Sequence, residues 1–504
     1  MTTTSLLADM TVATATSGII LRSEQQPDPQ VLENTFVDTG VLAQLSGRNS
    51  QIVYGRRGTG KSHVLRVLAA KAQRDRNELA VYVDIRVLGS AQLMTDPGRG
   101  LALRSVSVFK DLLSLFQQRL LEHSISLDGV GLEAVSDFAD SIRAVTSVVT
   151  QRETTDEWQT TRAQDHALRL RLSLTDVAVD AHHKGHSEVV GKRVGHYNET
   201  FENTVVFAEV SQQLNTAVLA LGINRLLLLV DEWASVPVDL QPYVAEFLKR
   251  TVLPLPKVTV KIGSLEHQST FATRHDDGSR IGFDVGGDVF ANLDLDDYYS
   301  HDRNPTGAVT FFGELLYRHL VSELPAGHLR DAHGVTTPQE LLTRLFDEGR
   351  TFADLVRAGH GVIRDFLGIY THSFFRSMSA GSAIITTAAV QAAAIEWFEI
   401  DKLTNLDNDL YEVFRTLVNE VIGGANTPYF LLDRVNASTQ AIRELYDQRL
   451  IHLVKRGVTR PDAPGTRYLL YILDFGTYID RDGIVLDPAG ATVVQALTAS
   501  PGQP

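Results

Sequence analysis

The spacing of apolar residues changes along the chain, and each change marks an element. Residues 225–230 read Arg-Leu-Leu-Leu-Leu-Val, with no polar residue inside the apolar run. Such a run suits a strand covered on both faces of a parallel sheet. Shorter apolar stretches at 52–54, 80–85, 257–262 and 289–295 predict further strands. Between them the apolar positions return at helical spacing, as in Val64-Leu65 followed by Val67-Leu68. Strands that alternate with helices predict a doubly wound α/β domain.

Beyond residue 306 the pattern is helical, over 308–321, 337–346, 352–358, 362–378 and 387–397, which predicts a helical lid over 306–402. A helix over 410–421, a short strand at 429–432 and an amphipathic helix over 438–450 follow. The stretches 451–454 and 468–473 flank a Gly- and Pro-containing loop, 457–465, and predict a hairpin. Helix, strand, helix and hairpin read as a winged-helix-like domain over 403–481, one helix short, before a tail of 482–504. The interval from Ile85 to Arg225 is far longer than an ordinary connection. Helices expected over 106–121 and 205–221 account for part of it. The remainder, about 123–203, is an insertion with helical patterns at 132–149 and 162–179. A long ordered insert needs a surface to bury, so an unidentified protein partner or another copy of the chain is expected there.

The chain of 504 residues exceeds one ordinary core, so two or three domains are expected. Cysteine is absent, which removes disulfides and thiolate metal ligands and fits a reducing cytoplasm. The N-terminal MTTTSLLADMTVATATSG has no basic start before an apolar core, so no signal peptide is expected. No apolar run approaches the ~20 residues of a spanning helix, so no membrane partner is expected. A formal net charge of −14 weighs against a large sequence-independent grip on DNA.

Chemistry enters at residues 51–65, QIVYGRRGTGKSHVL. Gly55, four residues, then Gly60-Lys61-Ser62 is the spacing of a phosphate-binding P-loop between a strand and a helix. Gly55, Gly58 and Gly60 let the backbone curl so that its N–H groups face phosphate, and the helix N-terminus favours the anion. Arg57, Thr59 and His63 complete the stretch expected to wrap ATP. Lys61 is placed for the β- and γ-phosphates and Ser62 for Mg²⁺. The apolar run after Arg225 ends in Asp231-Glu232, where a parallel strand's carboxyl end faces the ligand crevice. Asp231 fits the Mg²⁺ role and Glu232 the activation of water.

This order resembles the AAA+ ATPases: P-loop, second strand, Asp-Glu strand, a strand ending in a polar sensor, and a last strand before a helical lid. The resemblance implies a three-layer αβα P-loop NTPase core over 46–305, behind an N-terminal segment of 1–45. It implies that Ser264 is the first sensor, with Glu266, His267 and Gln268 competing for the role. It also implies that Arg364, in Ala-Gly-His-Gly-Val-Ile-Arg-Asp at 358–365, touches the γ-phosphate as the second sensor; an ordinary surface arginine is the alternative. Arg274 and Arg280 are both candidates for a finger offered to a neighbouring subunit. With its C-terminal domain the chain resembles the origin-recognition and replication-initiator clade, and bacterial relatives in mobile or defence loci.

Two functional readings fit. In the first, an ATP-hydrolysing AAA+ protein oligomerises and acts on DNA or a DNA-bound complex. Lys455, Arg456, Arg460 and Arg467 around the hairpin, with Arg443 and Arg449 on the helix before it, would grip a few phosphates. The same residues equally describe a solvated hairpin tip. In the second, a STAND-type switch exchanges nucleotide, recruits a protein effector and reads no DNA. The acidic balance and the missing helix favour it. A metabolic P-loop kinase fits poorly with so long a chain. His182, His183 and His186 invite a metal, but His166 and Glu188 complete no ligand set at helical spacing, and a solvated loop is the reading adopted.

Overall fold

The computed structural model describes residues 5–494 except 76, 154–163, 173–176, 186–196, 206, 275–277 and 462; for the strands between 146 and 205 it describes the backbone. The strands before residue 295 are β1 (Gln51–Tyr54), β2 (Glu78–Asp84), β3 (Thr146–Glu153), β4 (Gln164–Leu172), β5 (Val177–Gly185), β6 (Tyr197–Val205), β7 (Arg225–Asp231), β8 (Val258–Ser264), β9 (Ala272–Arg274), β10 (Arg280–Gly282) and β11 (Phe290–Asp294). Five of them form one parallel sheet in the order β11-β1-β8-β7-β2.

The leucine run of β7 explains the layering. Leu226, Leu228 and Val230 enter a core with the helices Leu101–Ser126, Phe207–Ala220 and Gln241–Thr251. Leu227 and Leu229 point the other way, into a core shared with the helix Lys61–Ala72. Ile52 and Val53 of β1 divide in the same manner. Alternate residues of a strand face opposite sides, so an unbroken apolar run needs helices on both. The parallel register then brings the carboxyl ends together. Tyr54 lies beside Ser264 and Asp294, and Asp84 beside Asp231.

The insertion differs from the sequence expectation. Within the helix expected over 162–179, the described residues 164–172 lie in β4 and 177–179 in β5. Leu168, Leu170 and Leu172 alternate with Arg169 and Arg171, and that period of two belongs to a strand. β3, β6, β5 and β4 form, in that order, an antiparallel sheet. The helix expected over 132–149 stops earlier, as Leu132–Ala144, and the chain then enters β3. Val135, Phe138 and Ile142 of this helix join the core that includes Leu226, Leu228 and Val230 of β7, and the helix packs against the helices Leu101–Ser126 and Phe207–Ala220. The side chains of His166, His182, His183, His186 and Glu188 lie outside the described residues.

The N-terminal segment, with helices Met10–Gly18, Pro29–Thr35 and Val41–Leu45, packs into one core with the helices after residue 305. Those helices are Pro305–Glu323, His328–His333, Pro338–Leu345, Gly349–Gly359, Ile363–Ser379 and Thr387–Trp397, close to the spans expected for the lid. A helix Asn408–Val418 then leads to β12 (Tyr429–Asp433), a helix Gln440–Asp447, the hairpin β13 (Ile451–Arg460) and β14 (Ala463–Leu473), and β15 (Thr492–Val493). Their sheet runs β13-β14-β12-β15. A single 3-10 turn, Asn436–Ser438, stands between β12 and the next helix, so the second helix missing from the sequence pattern is missing here too. Among the described residues no helix is long and apolar enough to cross a membrane.

Buried charge joins the lid to the C-terminal sheet. Lys402 Nζ lies 2.5 Å from Asp474 Oδ2 and 3.1 Å from Asp365 Oδ2. Arg449 pairs with Asp365 and, at 2.6 Å, with Asp401. It is therefore a buried structural cation and not part of a basic surface. The rings of His360 and His452 stack with centroids 3.8 Å apart, and burial holds both imidazoles well below their ordinary pKa. Lys402→Met leaves the buried Asp474 carboxylate without a charged partner and Asp365 with Arg449 alone, so it should cost about 3–5 kcal/mol in urea denaturation. The unfolded chain takes up protons at His360 and His452 below about pH 6.5 while the folded chain does not. Stability should therefore fall as pH drops through that value, by up to about 1.4 kcal/mol per pH unit for each imidazole. Urea melts between pH 7.5 and 5.5 should show a shallower fall for His452→Asn than for the natural chain.

Candidate functional site

The P-loop is shaped for close approach. Gly58 and Gly60 have φ of 88° and 99°, which side-chain-bearing residues avoid. A Cβ at 58 would lie 2.8 Å from Arg364 Cβ, and one at 60 would lie 3.1 Å from Ile363 Cδ1. Lys61 opens the helix after the loop, and its Nζ donates to Gly55 O at 2.6 Å and Arg56 O at 2.9 Å. Burial lowers the pKa of this ammonium, and Asp231, Glu232 and Asp296 offset part of the shift. Thr59 is buried and its hydroxyl donates to Arg56 O at 2.8 Å, so it serves the loop's own shape. His63 Nε2 faces Leu32 O at 2.7 Å, and its ring stands edge-on to Phe36.

Asp231 ends β7 with 1% exposure. Its Oδ2 accepts from the Tyr82 hydroxyl at 2.7 Å and its Oδ1 from the Glu232 N–H at 2.9 Å. A Cβ at 263 would lie 2.9 Å from Asp231 Oδ1, so the neighbouring strand needs glycine there. Glu232 has φ of 56°, a left-handed backbone that costs a non-glycine residue about 1–3 kcal/mol. Its Oε1 lies 3.8 Å from Arg86 NH1, and Arg86 is held by Asp84 at 2.6 Å.

The lid meets the loop through Arg364, whose N–H donates to Gly58 O at 3.1 Å. Its Nε is buried without a hydrogen-bond partner. Burial, with Arg449 and Arg22 adding to it, lowers the guanidinium pKa. A cavity of about 320 Å³ lies between these parts. Arg57, Gly58, Gly60, Lys61, Ser62 and His63 line it, together with Glu232 and Arg364. The cavity also takes in residues with no motif to mark them. Arg86 follows β2, and Ile20, Leu21, Arg22 and Glu24 come from the N-terminal segment.

The sensor candidates are placed differently. Ser264 stands at the end of β8, buried, with its hydroxyl against that of Ser269, and it does not line the cavity. Its three competitors face the C-terminal domain. Glu266 pairs with Arg456 at 3.1 Å, His267 lies edge-on to Tyr446, and Gln268 donates to Asp447 Oδ2 at 2.9 Å. Arg56 also leaves the P-loop in that direction. Its Nε donates to Asp296 Oδ1 at 2.8 Å, its NH1 to His452 Nδ1 at 2.6 Å, and its guanidinium lies over the Tyr446 ring.

A family model described as ORC-CDC6-like matches residues 22–344. The chain belongs to the ORC-CDC6-like family. Its parallel sheet in the order β11-β1-β8-β7-β2 under a helical lid is the AAA+ P-loop fold expected from the sequence. Similar solved structures include the Aeropyrum pernix ORC2 protein in ADPNP–ADP complexes, at 11% identity and a TM-score of 0.37 over 89% of this chain and 94% of that one. Cdc6p from Pyrobaculum aerophilum is 11% identical with a TM-score of 0.32 over 93% of this chain and 94% of that one. Drosophila ORC bound to DNA gives 13% identity and a TM-score of 0.31 over 90% and 91%. No curated protein matches the chain.

In this ORC-CDC6-like chain Arg443, Lys455, Arg456 and Arg467 are exposed and Arg460 is half-buried. Arg456 reaches both Glu266 and, at 3.8 Å, Asp294. Burial and the neighbouring Asp296 push the Asp294 carboxyl up to about 7. Arg274 is exposed on β9, and Arg280 on β10 pairs with Asp284 at 2.9 Å. Gly58→Ala combines a strained φ with a collision at Arg364, so it should push the lid helix off the loop. A loss of about 1–3 kcal/mol in denaturation and weaker binding of a non-hydrolysable ATP analogue by calorimetry are the expected outcomes.

Proposed function

We propose that the chain binds and hydrolyses ATP in this cavity, assembles with copies of itself, and acts on DNA or a DNA-bound complex. The observation that carries the reading is the meeting of P-loop residues, Glu232 and Arg364 around one cavity. Lys61 binds the β- and γ-phosphates, which return to its buried ammonium an anionic partner. Gly55, Arg57, Gly58, Thr59 and Gly60 hold the loop whose N–H groups face the phosphates, and His63 closes the cavity wall. Arg364, with its unpartnered Nε, stabilises charge on the γ-phosphate. Glu232 takes the proton of the attacking water, and Ser264 serves as a polar sensor one strand away. The Ser62 hydroxyl and the Asp231 carboxylate are hard oxygen donors that would hold Mg²⁺, which when bound neutralises phosphate charge. Each Asp231 oxygen accepts a single hydrogen bond, so lone pairs remain for an ion.

The same reading divides the chain into 1–45, a nucleotide core 46–305 with its insertion, a lid 306–402, a C-terminal domain 403–481 and a tail, and sets the protein in the cytoplasm. Arg443, Lys455, Arg460 and Arg467 contact DNA phosphates, and Arg456 joins them when it leaves Glu266. The insertion meets a protein partner. One observation favours the STAND-type alternative: Arg456 is already engaged by Glu266 and Asp294.

Lys61→Ala should abolish ATP binding and turnover. Glu232→Gln should bind ATP normally and hydrolyse it about 10²–10⁴-fold more slowly. Arg364→Ala should slow hydrolysis by about 10²-fold with a smaller loss of affinity. Turnover with and without duplex DNA, at low and moderate salt, separates the two readings. Stimulation that fades with salt supports action on DNA, and Arg467→Ala should then lower the salt slope by about 1. Turnover indifferent to DNA favours the switch.

A further inference from the structure

Among the described residues, two clusters of histidine and carboxylate lie away from the cavity, and their chemistry differs. In the first, His360, His452 and Asp474 are all buried. His360 Nε2 accepts from the Phe475 N–H at 3.0 Å, and His452 Nδ1 accepts from the Arg56 guanidinium at 2.6 Å. Those nitrogens are occupied, and a buried guanidinium repels a second cation. This cluster is structural.

The second cluster joins distant parts of the chain. Asp9 precedes the helix Met10–Gly18, and His328 and His333 open and close a short helix of the lid. His328 Nε2 lies 2.8 Å and His333 Nε2 2.7 Å from the same Asp9 Oδ2. The two rings meet edge to face with centroids 5.8 Å apart, so the nitrogens approach from different directions. Asp9 Oδ1 accepts the Thr11 N–H at 2.7 Å, which fixes the carboxylate plane, as a supporting hydrogen bond does for a metal ligand. No lysine or arginine pairs with Asp9 among the described residues; the adjacent Arg330 pairs with Asp331. His333 is buried, whereas His328 and Asp9 are 22% and 16% exposed at the side chain, which leaves a solvent-facing side for a fourth, water ligand.

We propose that Asp9, His328 and His333 bind a divalent transition ion of the zinc class. Two imidazoles and one carboxylate are a ligand set such ions prefer, and a chain without cysteine offers no thiolate to compete. Tetrahedral bonds of about 2.0–2.2 Å put ligand atoms roughly 3.4 Å apart. Each imidazole therefore has to retreat by about 0.6–0.7 Å from its 2.8 or 2.7 Å contact, a side-chain adjustment. The ion ties the N-terminal segment to the lid. That segment carries the Ile20–Glu24 stretch that walls the cavity, so the ion stiffens the wall from outside the phosphate site.

The test uses the full chain, stripped with EDTA, in a His182→Gln/His183→Gln/His186→Gln background that removes the competing histidine-rich stretch. One equivalent of Zn²⁺ should remain after dialysis and raise Tm, and Co²⁺ should give visible d–d absorption. His328→Gln should weaken Zn²⁺ at least about tenfold. Asp9→Asn should do the same while its side-chain oxygen still accepts from Thr11. Binding should release protons and fade as pH falls through the imidazole range. Absence of Zn²⁺ and Co²⁺ binding in that background overturns the site, and so does equal binding by His328→Gln. The three residues are then a hydrogen-bonded clamp. If Asp9→Asn fails to fold, His328→Gln, at the partly exposed position, decides the matter alone.

Discussion

β7 has to be covered on both faces, and the architecture follows from that requirement. Each fully buried leucine contributes about 1.5–3 kcal/mol relative to exposure, so neither Leu226 and Leu228 nor Leu227 and Leu229 can be left facing water. Helices on both sides make the strands parallel, and parallel strands present their carboxyl ends at one edge. The P-loop, the Asp231-Glu232 pair and Ser264 therefore gather at that edge whatever the loops between them contain. Even the long excursion through β3 to β6 returns to a helix, Phe207–Ala220, that packs beside β7.

Two sides of the P-loop answer to different parts of the chain. On one side Arg56 enters a buried network with Asp296, His452 and Tyr446, so the C-terminal domain grips the loop that carries Lys61. A buried guanidinium is tolerable only with such pairing. Glu266, His267 and Gln268 are drawn into the same interface, which removes them from the cavity. On the other side the N-terminal segment and Arg364 of the lid build the cavity wall. A change in how either domain seats is felt directly by the loop backbone.

Local charge and overall charge diverge. The chain is acidic by −14, yet Arg22, Arg57, Lys61, Arg86 and Arg364 converge on one cavity. Fields from nearby groups in a partly desolvated cleft outweigh the average over a surface. Arg456 shows the converse. Its place on the hairpin suggests an exposed phosphate contact, while its partners Glu266 and Asp294 make it part of a domain interface.

Much of this was legible one element at a time. The P-loop, the buried strand, the acidic pair and the lid helices each carry their signal within a dozen residues. Residues 164–172 carry two periods at once. Leucines alternate there with arginines, the period of two of a strand, while scattered apolar positions around them also fit helical spacing. Arg449 looks like surface charge in the sequence because nothing local announces Asp365, 84 positions earlier. Arg22, Arg86 and the Asp9–His328–His333 cluster were invisible for the same reason. By itself the sequence determined the phosphate loop, the strand that supplies its carboxylates and the layered core, because backbone curvature and apolar periodicity are local properties. Only the tertiary structure decided which arginines face the cavity, which sensor candidates are spent on domain contacts and which histidines meet an aspartate, because charges far apart in the chain become neighbours only once the cores have closed.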